Sequence, residues 1–195
     1  MHKDKTDEQI CSLLQAGNKD VYGEIIERYE AKMTRYARRF FRDVYDIEDL
    51  VQDVFVKAYI NINSFDTSMK FNPWIYRIAH NIFVNKIAWK SIRNYIPIDA
   101  DEFLPHTLPS PENTQKESMQ REEKDILEKY LNRLDEKYKT PIILFFYEDM
   151  SYNEISEILK IPSGTVGIRI KRGKEKLKDI IKNTDHFNRL ESYGK

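Results

Sequence analysis

Apolar residues spaced three or four apart recur through most of this chain, and this spacing limits its fold more than any other feature of the sequence. One such stripe, between about residues 20 and 41, consists of Val21, Ile25, Tyr29, Met33, Tyr36 and Phe40. No segment shows the sustained alternation of apolar and polar residues that a half-buried strand requires. The sequence therefore predicts an all-α protein made of amphipathic helices.

Local capping signals predict where the N-terminal helices begin. Thr6 and Gln9 form a capping box for a first helix over residues 7–16. Asp46 is the expected N-cap of a third helix, and Asn72 followed by Pro73 is the expected start of a fourth. Together with the stripe described above, these signals predict a bundle of four helices.

The helical pattern is lost in the middle of the chain, where it is interrupted by Pro97, Pro105, Pro109 and Pro111. We therefore predict two small helical domains, over residues 1–94 and 121–195, joined by a flexible linker over residues 95–120. The linker region is acidic, with nine acids against three bases between Asp99 and Glu128. The simplest explanation of this charge is the solvation of a tether.

Two short helices joined by a tight turn are predicted in the second domain. Ser151 and Glu154 form a capping box for the first, and Ser163 is the expected N-cap of the second. The second helix carries seven basic residues against two acids, a net charge of +5. This is the helix-turn-helix arrangement, in which the second helix enters the major groove of duplex DNA. The alternative is a basic helix that is only solvated.

Helical spacing separates an inner from an outer face of this basic helix. The inner face consists of Val166, Ile170, Gly173 and Leu177. The outer face includes Ile168, an apolar residue among cations, beside Gly167. We interpret Ile168 as a contact to a thymine methyl group, and Gly167 as a position where the backbone approaches DNA closely.

The fourth helix combines cations with aromatic rings. Residues 69–94 contain no acid, and their bases and rings are Lys70, Arg77, Lys86, Lys90 and Arg93, and Phe71, Trp74, Tyr76, Phe83 and Trp89. Single-stranded nucleic acid binds such surfaces, because cations meet its backbone and flat rings stack on unpaired bases. We expect four apolar residues of this helix to lie in the core instead: Trp74, Ile75, Ile78 and Ile82.

The third helix is acidic on its outer side, where four acids stand against Lys57: Asp46, Glu48, Asp49 and Asp53. We expect a protein partner at this surface. The alternative is a metal pair formed by Asp49 and Asp53, as in a nuclease. No histidine or further carboxylate follows at ligand spacing, so we predict no metal site, and no motif indicates a cofactor.

The 32 basic and 32 acidic residues balance, so any affinity for nucleic acid must come from the segregation of charge. The single cysteine, Cys11, rules out an internal disulfide and is expected to be buried. The sequence shows neither an apolar signal core nor a run long enough to span a bilayer. We therefore expect a cytoplasmic protein without direct membrane insertion.

Three stretches resemble, in order, segments of the sigma factors of RNA polymerase, specifically the extracytoplasmic-function group that keeps only regions two and four. They are DIEDLVQDVFVKAY (46–59), FNPWIYRIAHNIFVNKIAWK (71–90) and LDEKYKTPIILFFYEDMSYNEISEILKIPSGTVGIRIKRGKEKL (134–177). In that family the first stretch docks on the polymerase and the second opens and reads the minus-ten promoter element. The third stretch reads the minus-thirty-five element.

The resemblance implies roles for individual residues. The residues implied at the polymerase surface are Asp49, Gln52, Asp53 and Lys57. Those implied at the minus-ten element are Asn61, Phe65, Lys70, Phe71, Arg77, Asn81, Lys86 and Lys90. Among these, Phe65 would be a wall of a pocket for a flipped base, and Asn81 would read the strand. Those implied at the minus-thirty-five element are Ser163, Thr165, Gly167, Ile168, Arg169, Lys171, Arg172 and Lys174.

The implied function is that of a sigma factor without catalytic activity of its own. Its expected partners are core RNA polymerase, promoter DNA and the anti-sigma factor that many relatives have, and its linker would run through the RNA exit channel. One alternative is a helix-turn-helix regulator that binds duplex DNA without polymerase. A second alternative is a metal-dependent enzyme that acts on DNA.

Overall fold

A computed structural model describes residues 4–93 and 127–182, which form helices and short loops with no β-strand among them. The N-terminal bundle consists of α1 (Asp7–Gln15), α2 (Tyr22–Arg38), α3 (Val44–Ile60) and α4 (Phe71–Arg93). The C-terminal module consists of α5 (127–131), α6 (Glu136–Phe146), α7 (Tyr152–Leu159) and α8 (Ser163–Lys182). The prediction of an all-α fold is confirmed, and the predicted linker over residues 95–120 lies outside the described residues.

Aromatic side chains fill the core of the N-terminal bundle. Phe71 packs edge-on against Tyr29 with ring centroids 5.3 Å apart, and Phe83 lies 5.4 Å from Tyr36. All four are buried, and such ring pairs add about 0.5–1.5 kcal/mol each beyond the burial of their area. The predicted stripe on α2 therefore faces the first and last helices of the bundle.

The first helix begins as predicted, but the third does not. The Thr6 hydroxyl accepts from the backbone N–H of Gln9, and the Gln9 side chain accepts from the N–H of Thr6, so the capping box is confirmed. The cap of α3 is Asp43, whose carboxylate accepts from the N–H of Asp46 at 2.9 Å. Asp46 itself pairs with Lys86 at 3.1 Å across the bundle, so its prediction as the cap was wrong.

The fourth helix also begins earlier than predicted, at Phe71 rather than after Asn72. The backbone N–H of Phe71 donates to the Glu8 carboxylate of α1 at 3.0 Å, so a distant side chain satisfies this helix end. Pro73 then lies in the first turn, where its missing N–H leaves no hydrogen bond unmade. Burial alone would raise the pKa of Glu8, but hydrogen bonds from Phe71 and neighbouring groups outweigh it, and the pKa is lowered.

In the C-terminal module the capping box of Ser151 and Glu154 is confirmed. The turn after α7 passes through Lys160 in a left-handed conformation, with φ of 54°. The carbonyl of Pro162 then accepts from the N–H groups of residues 165 and 166, so Ser163 is the first residue of α8 and not its cap. Both helices of the predicted helix-turn-helix are present.

The cores of the two halves are joined. Buried residues of α7 and α8, among them Ile155 and Val166, belong to the same continuous apolar cluster as Phe71 and Phe83 of α4. Helices α4 and α7 are among the most extensively packed pairs in the described chain. The sequence suggested a separate core for each half, because contacts between distant helices leave no local pattern.

Candidate nucleic-acid interface

The outer face of α8 is open to solvent. Ile168 is 53% exposed, and Ser163, Lys171, Arg172 and Lys174 are exposed beside it. Thr165, Gly167 and Arg169 are half-buried at its edges. The inner face is buried at Val166, Ile170 and Gly173, as the helical spacing predicts. Helix α8 therefore presents cations and one apolar side chain together, the combination that duplex DNA requires of a reading helix.

Gly167 also has a structural explanation, besides the close approach to DNA that the sequence indicates. A Cβ atom at this position would lie 3.3 Å from Cε2 of Tyr152, so the glycine makes room for that ring. Tyr152 is held from its other side by Phe145, with centroids 5.2 Å apart, and remains 41% exposed next to α8. The absence of a side chain at Gly167 thus accommodates the Tyr152 ring at the edge of the outer face of α8. Spacing along the sequence could not predict this contact, because Tyr152 lies on another helix.

A groove of about 480 Å³ runs between α3 and α4, and we call it the α3–α4 groove. Its walls include Asn61, Arg77 and Asn81 from the predicted minus-ten set, together with Lys57. The amide of Asn61 donates to the Lys57 carbonyl at 2.7 Å, which fixes Asn61 at the end of α3. The predicted core residues Trp74, Ile78 and Ile82 contribute an apolar floor, and the remaining lining residues are Asp53, Val56, Ser64 and Asn85.

An aromatic cluster lies at the end of this groove, where Phe65 packs 5.4 Å from Phe71 and 5.2 Å from Trp74. Phe65 also lines a cavity of about 230 Å³ between α4 and α7, the α4–α7 pocket. Phe71 is completely buried, so its predicted contact with DNA does not fit the structure. Its ring instead supports the two neighbouring rings from inside the bundle.

The predicted cations of α4 are placed differently from one another. Lys70 is exposed and pairs with Glu154 of α7 at 3.1 Å, whereas Lys86 pairs with Asp46 within the bundle. Arg77 lines both the α3–α4 groove and the α4–α7 pocket. The side chain of Lys90 lies outside the described residues.

The outer side of α3 exposes Asp49, Gln52, Asp53 and Lys57 together, as a partner surface requires. It also exposes Val56 at 57% and Ile60 at 68%, which the sequence prediction missed. These two residues border a groove of about 660 Å³ between α2 and α3, the α2–α3 groove, whose apolar walls include Tyr22, Ile26 and Phe55. The signal that could have predicted them is the spacing of four residues between Val56 and Ile60, which places both outside the stripe that faces the core.

Within residues 4–93 and 127–182, no group of three or more His, Cys, Asp or Glu side chains could hold a metal ion. Asp49 and Asp53 are both exposed on α3. No helix in those same ranges is long and apolar enough to cross a membrane.

Two profiles of known protein families match the chain. The profile of Sigma-70 region 2 matches residues 25–91, and that of Sigma-70, region 4 matches residues 124–177. The first match covers the α3–α4 groove, and the second covers α7 and α8 as far as Leu177. The class of protein that the fold and these surfaces define is therefore the sigma-70 type of transcription initiation factor.

Two relatives, each matched over most of its length, identify the group within the sigma-70 class to which the chain belongs. The chain is 33% identical over 193 residues to the ECF RNA polymerase sigma-E factor of Haemophilus influenzae, covering 93% of this chain and 98% of the relative. It is 32% identical over 184 residues to the ECF RNA polymerase sigma factor SigW of Bacillus subtilis, covering 87% and 94%. The chain belongs to the extracytoplasmic-function (ECF) sigma factors of RNA polymerase, and the family predicted from the sequence is confirmed.

Solved structures share the fold. CnrH in complex with the cytosolic domain of CnrY matches with a TM-score of 0.67 at 23% identity, over 90% of this chain and 97% of CnrH. The sigma factor RpoE of Bartonella quintana, in complex with the anti-sigma factor NepR, matches with a TM-score of 0.61 at 20% identity, over 83% and 97%. At these identities the likeness concerns the fold alone.

Proposed function

We propose that this chain binds core RNA polymerase through the outer side of α3 and directs it to promoters with two separate DNA-reading surfaces. Helix α8 reads the minus-thirty-five element as a duplex. The α3–α4 groove holds the minus-ten element as a single strand. The chain supplies recognition and strand capture, with no catalytic activity of its own, and acts with the polymerase in the cytoplasm.

The observation that carries this proposal is the α3–α4 groove. It brings Asn61, Arg77 and Asn81 from two helices to one cleft with an apolar floor. Amide groups can hydrogen-bond the edges of unpaired bases, and a guanidinium can meet the strand's phosphates. A duplex-binding regulator has no use for such a cleft, whereas a factor that captures a melted strand requires one.

The two proposed DNA surfaces contribute to the free energy of binding in different ways. On α8 the exposed cations Lys171, Arg172 and Lys174 supply contacts to phosphates, which position the helix without reading sequence. In the α3–α4 groove, each stacked or captured base stabilises the complex by about 1–3 kcal/mol. Such contacts must offset the few kcal/mol of unstacking that each flipped base costs.

An anti-sigma factor is a further proposed partner. The RpoE structure, which shares this fold, contains one. The apolar α2–α3 groove and the exposed Val56 and Ile60 provide a surface for a protein on the polymerase-facing side. Competition between such a partner and core polymerase for α3 would keep the chain inactive.

The proposal is tested by selecting promoter DNA from a random duplex library, once with reconstituted holoenzyme and once with the free chain. Sequences with two elements at a fixed spacing should be recovered with holoenzyme only. Recovery of the same motif by the free chain would favour a regulator that works without polymerase. Magnesium-dependent cleavage of the selected DNA would instead favour the metal enzyme.

A further inference from the structure

The loop that joins α3 to α4, residues 61–70, contributes to both cavities beside α4, and we call it the α3–α4 loop. Ser64 lines the α3–α4 groove and also the α4–α7 pocket. Asn61 lines the groove, and Phe65 lines the pocket. A DNA strand in the groove therefore meets side chains of this loop, and their positions depend on the loop backbone.

Hydrogen bonds within the loop define its turns. The Ser64 hydroxyl donates to the Asn61 carbonyl at 2.7 Å. The Asp66 carboxylate accepts from the backbone N–H of Ser68 at 2.9 Å and from its hydroxyl at 2.7 Å. Donors and acceptors of these bonds all belong to the loop itself. They shape the loop, but they do not attach it to the rest of the bundle.

Gln15, the last residue of α1, attaches the first half of the loop to the bundle. Its side-chain amide donates to the carbonyl of Ile62 at 2.8 Å and to that of Phe65 at 2.7 Å. A glutamine amide carries two N–H donors in one plane, so a single side chain can hold both carbonyls. Between them lie Asn63 and Ser64, which are exposed. The bonds from Gln15 therefore fix the backbone that presents these two side chains.

Glu8, near the start of α1, holds the other end of the loop. Its carboxylate accepts at 3.0 Å from the backbone N–H of Phe71, the residue that directly follows the loop. Glu8 and Gln15 are seven residues apart and lie on the same face of α1. One face of a single helix therefore contacts the backbone at both ends of the segment between α3 and α4.

Helix α1 is itself firmly attached to the bundle. The Asp7 carboxylate accepts from the guanidinium of Arg28 at 2.7 Å and from the hydroxyl of Tyr29 at 2.6 Å, both on α2. Ile10 and Cys11 are completely buried on the inner side of α1. The helix is therefore a fixed support from which Gln15 and Glu8 reach the loop.

We propose that Gln15 and Glu8 are positioning residues for capture of the minus-ten strand. They hold the α3–α4 loop in the conformation that its contacts with unpaired bases require, and they act through the loop backbone rather than on the DNA. This inference rests on the proposed function of the α3–α4 groove. It adds α1 to the elements on which recognition of the minus-ten element depends.

The test uses holoenzyme reconstituted with an excess of core polymerase and a fluorescent single strand that carries the selected non-template minus-ten sequence. Gln15→Glu replaces two donors with a carboxylate, which can only accept when ionised and therefore repels both carbonyls. The loop then populates other conformations, and apparent affinity falls with the fraction of molecules that remain competent. We expect a loss of about tenfold, because each of two lost hydrogen bonds is worth severalfold.

Gln9→Glu is the matched control, because it makes the same change at an exposed position of the same helix. Glutamate can replace glutamine in the capping box with Thr6, so this variant should leave strand affinity unchanged. Gln15→Met removes the donors without adding a charge and keeps a good helix former. It should weaken strand binding in the same direction as Gln15→Glu.

The other end of the loop is tested at Glu8. Glu8→Ala leaves the N–H of Phe71 without its acceptor and should weaken strand binding about threefold, as expected for one hydrogen bond. Glu8→Gln keeps an acceptor oxygen at the same position and should restore most of the affinity.

Base discrimination separates positioning from a general loss of stability. The measurement is the ratio of affinities for the selected strand and for strands with one base changed, together with binding to a duplex that carries only the minus-thirty-five element. Both Gln15 variants should lower the ratio and leave duplex binding unchanged.

Unchanged strand affinity in Gln15→Glu and Gln15→Met would overturn the role of α1. Equal losses on the strand and on the minus-thirty-five duplex would overturn it too, since a destabilised chain behaves in that way. An unmodified holoenzyme that binds the selected strand no better than a scrambled one would contradict the proposed function of the groove instead.

Discussion

The two proposed DNA-reading surfaces of this chain differ in shape. The outer face of α8 lies in solvent, with Ile168 and Arg172 exposed. The α3–α4 groove is a cleft between two helices, with Trp74 buried in its floor and Asn81 exposed at its wall. Reading a duplex requires only exposed donors and cations, whereas capturing unpaired bases requires aromatic surface that is unfavourable in water. The difference indicates why one surface is a single exposed helix face and the other is a cleft with an apolar floor.

The largest effect is expected from the open surface. Arg172→Ala should reduce transcription from the selected promoter by about 10- to 100-fold, since a good base or phosphate contact is worth about 1–3 kcal/mol. Arg169→Ala should have a smaller effect in the same direction, because Arg169 is half-buried. Lys178→Ala, an exposed cation of α8 outside the predicted set, is the control. Unchanged footprints over the minus-thirty-five element in both arginine variants would contradict this assignment.

The polymerase-facing side of α3 adjoins the α3–α4 groove, whose lining includes Asp53 and Lys57, and binding to core polymerase without DNA tests it separately. Asp53→Ala should weaken binding to core polymerase about five- to tenfold, as expected for one charged contact at an interface. Asp20→Ala removes an exposed acid away from α3 and should have no effect. The measurement is co-purification with core polymerase at limiting concentration, and equal recovery of the two variants would count against the α3 surface.

Ile168 tests whether the open surface reads a base through apolar contact. Replacing the contacted thymine by uracil removes one methyl group, and burial of such a group is worth about 0.8 kcal/mol, or about fourfold in affinity. Holoenzyme with Ile168 should therefore bind the uracil promoter about fourfold more weakly, and Ile168→Ser should abolish that difference. If every thymine in the element can be replaced without effect, Ile168 makes no such contact.

The smallest expected effect comes from the contact between Gly167 and the Tyr152 ring. Gly167→Ala places a methyl group against the ring and should weaken binding to the minus-thirty-five duplex about twofold. In a Tyr152→Ala background the same substitution should have no effect, because the ring it displaces is gone. A loss that persists in that background would restore the interpretation of Gly167 as a close approach of the backbone to DNA.

Local signals were enough to predict much of the fold. The capping boxes of Thr6 and Ser151 involve residues only three apart, and the apolar periodicity of α2 and α8 defines their inner faces. The outer face of α8 follows from the same spacing, so the exposure of Ile168 is predictable from the sequence alone. These features depend on contacts within one or two helical turns.

Contacts between distant residues could not be predicted in this way. Glu148 accepts hydrogen bonds from Arg35, 113 residues away, and from Tyr76, 72 residues away, and nothing in its local sequence distinguishes it from the exposed Asp149. The cap that Glu8 provides for Phe71 spans 63 residues. The burial of Phe71, the contact of Tyr152 with Gly167 and the packing of α7 on α4 all depend on how helices pack against one another. Periodicity within a single helix does not determine this packing.

Selective labelling is possible because Cys11 is completely buried and its burial raises the thiol pKa to about 12. Cysteines introduced at the exposed positions Glu27 and Asp179 can therefore carry a donor and an acceptor dye, one on each half of the molecule. These sites lie outside the predicted contacts with DNA and polymerase.

Energy transfer between these dyes compares the free chain with the promoter-bound holoenzyme. It should be high in the free chain and fall sharply when holoenzyme binds a promoter with both elements, because the halves must then span roughly 80 Å of duplex. The same low transfer in the free chain would contradict the packing of α7 on α4. High transfer that persists on the promoter would contradict the assignment of the two surfaces to two separate elements.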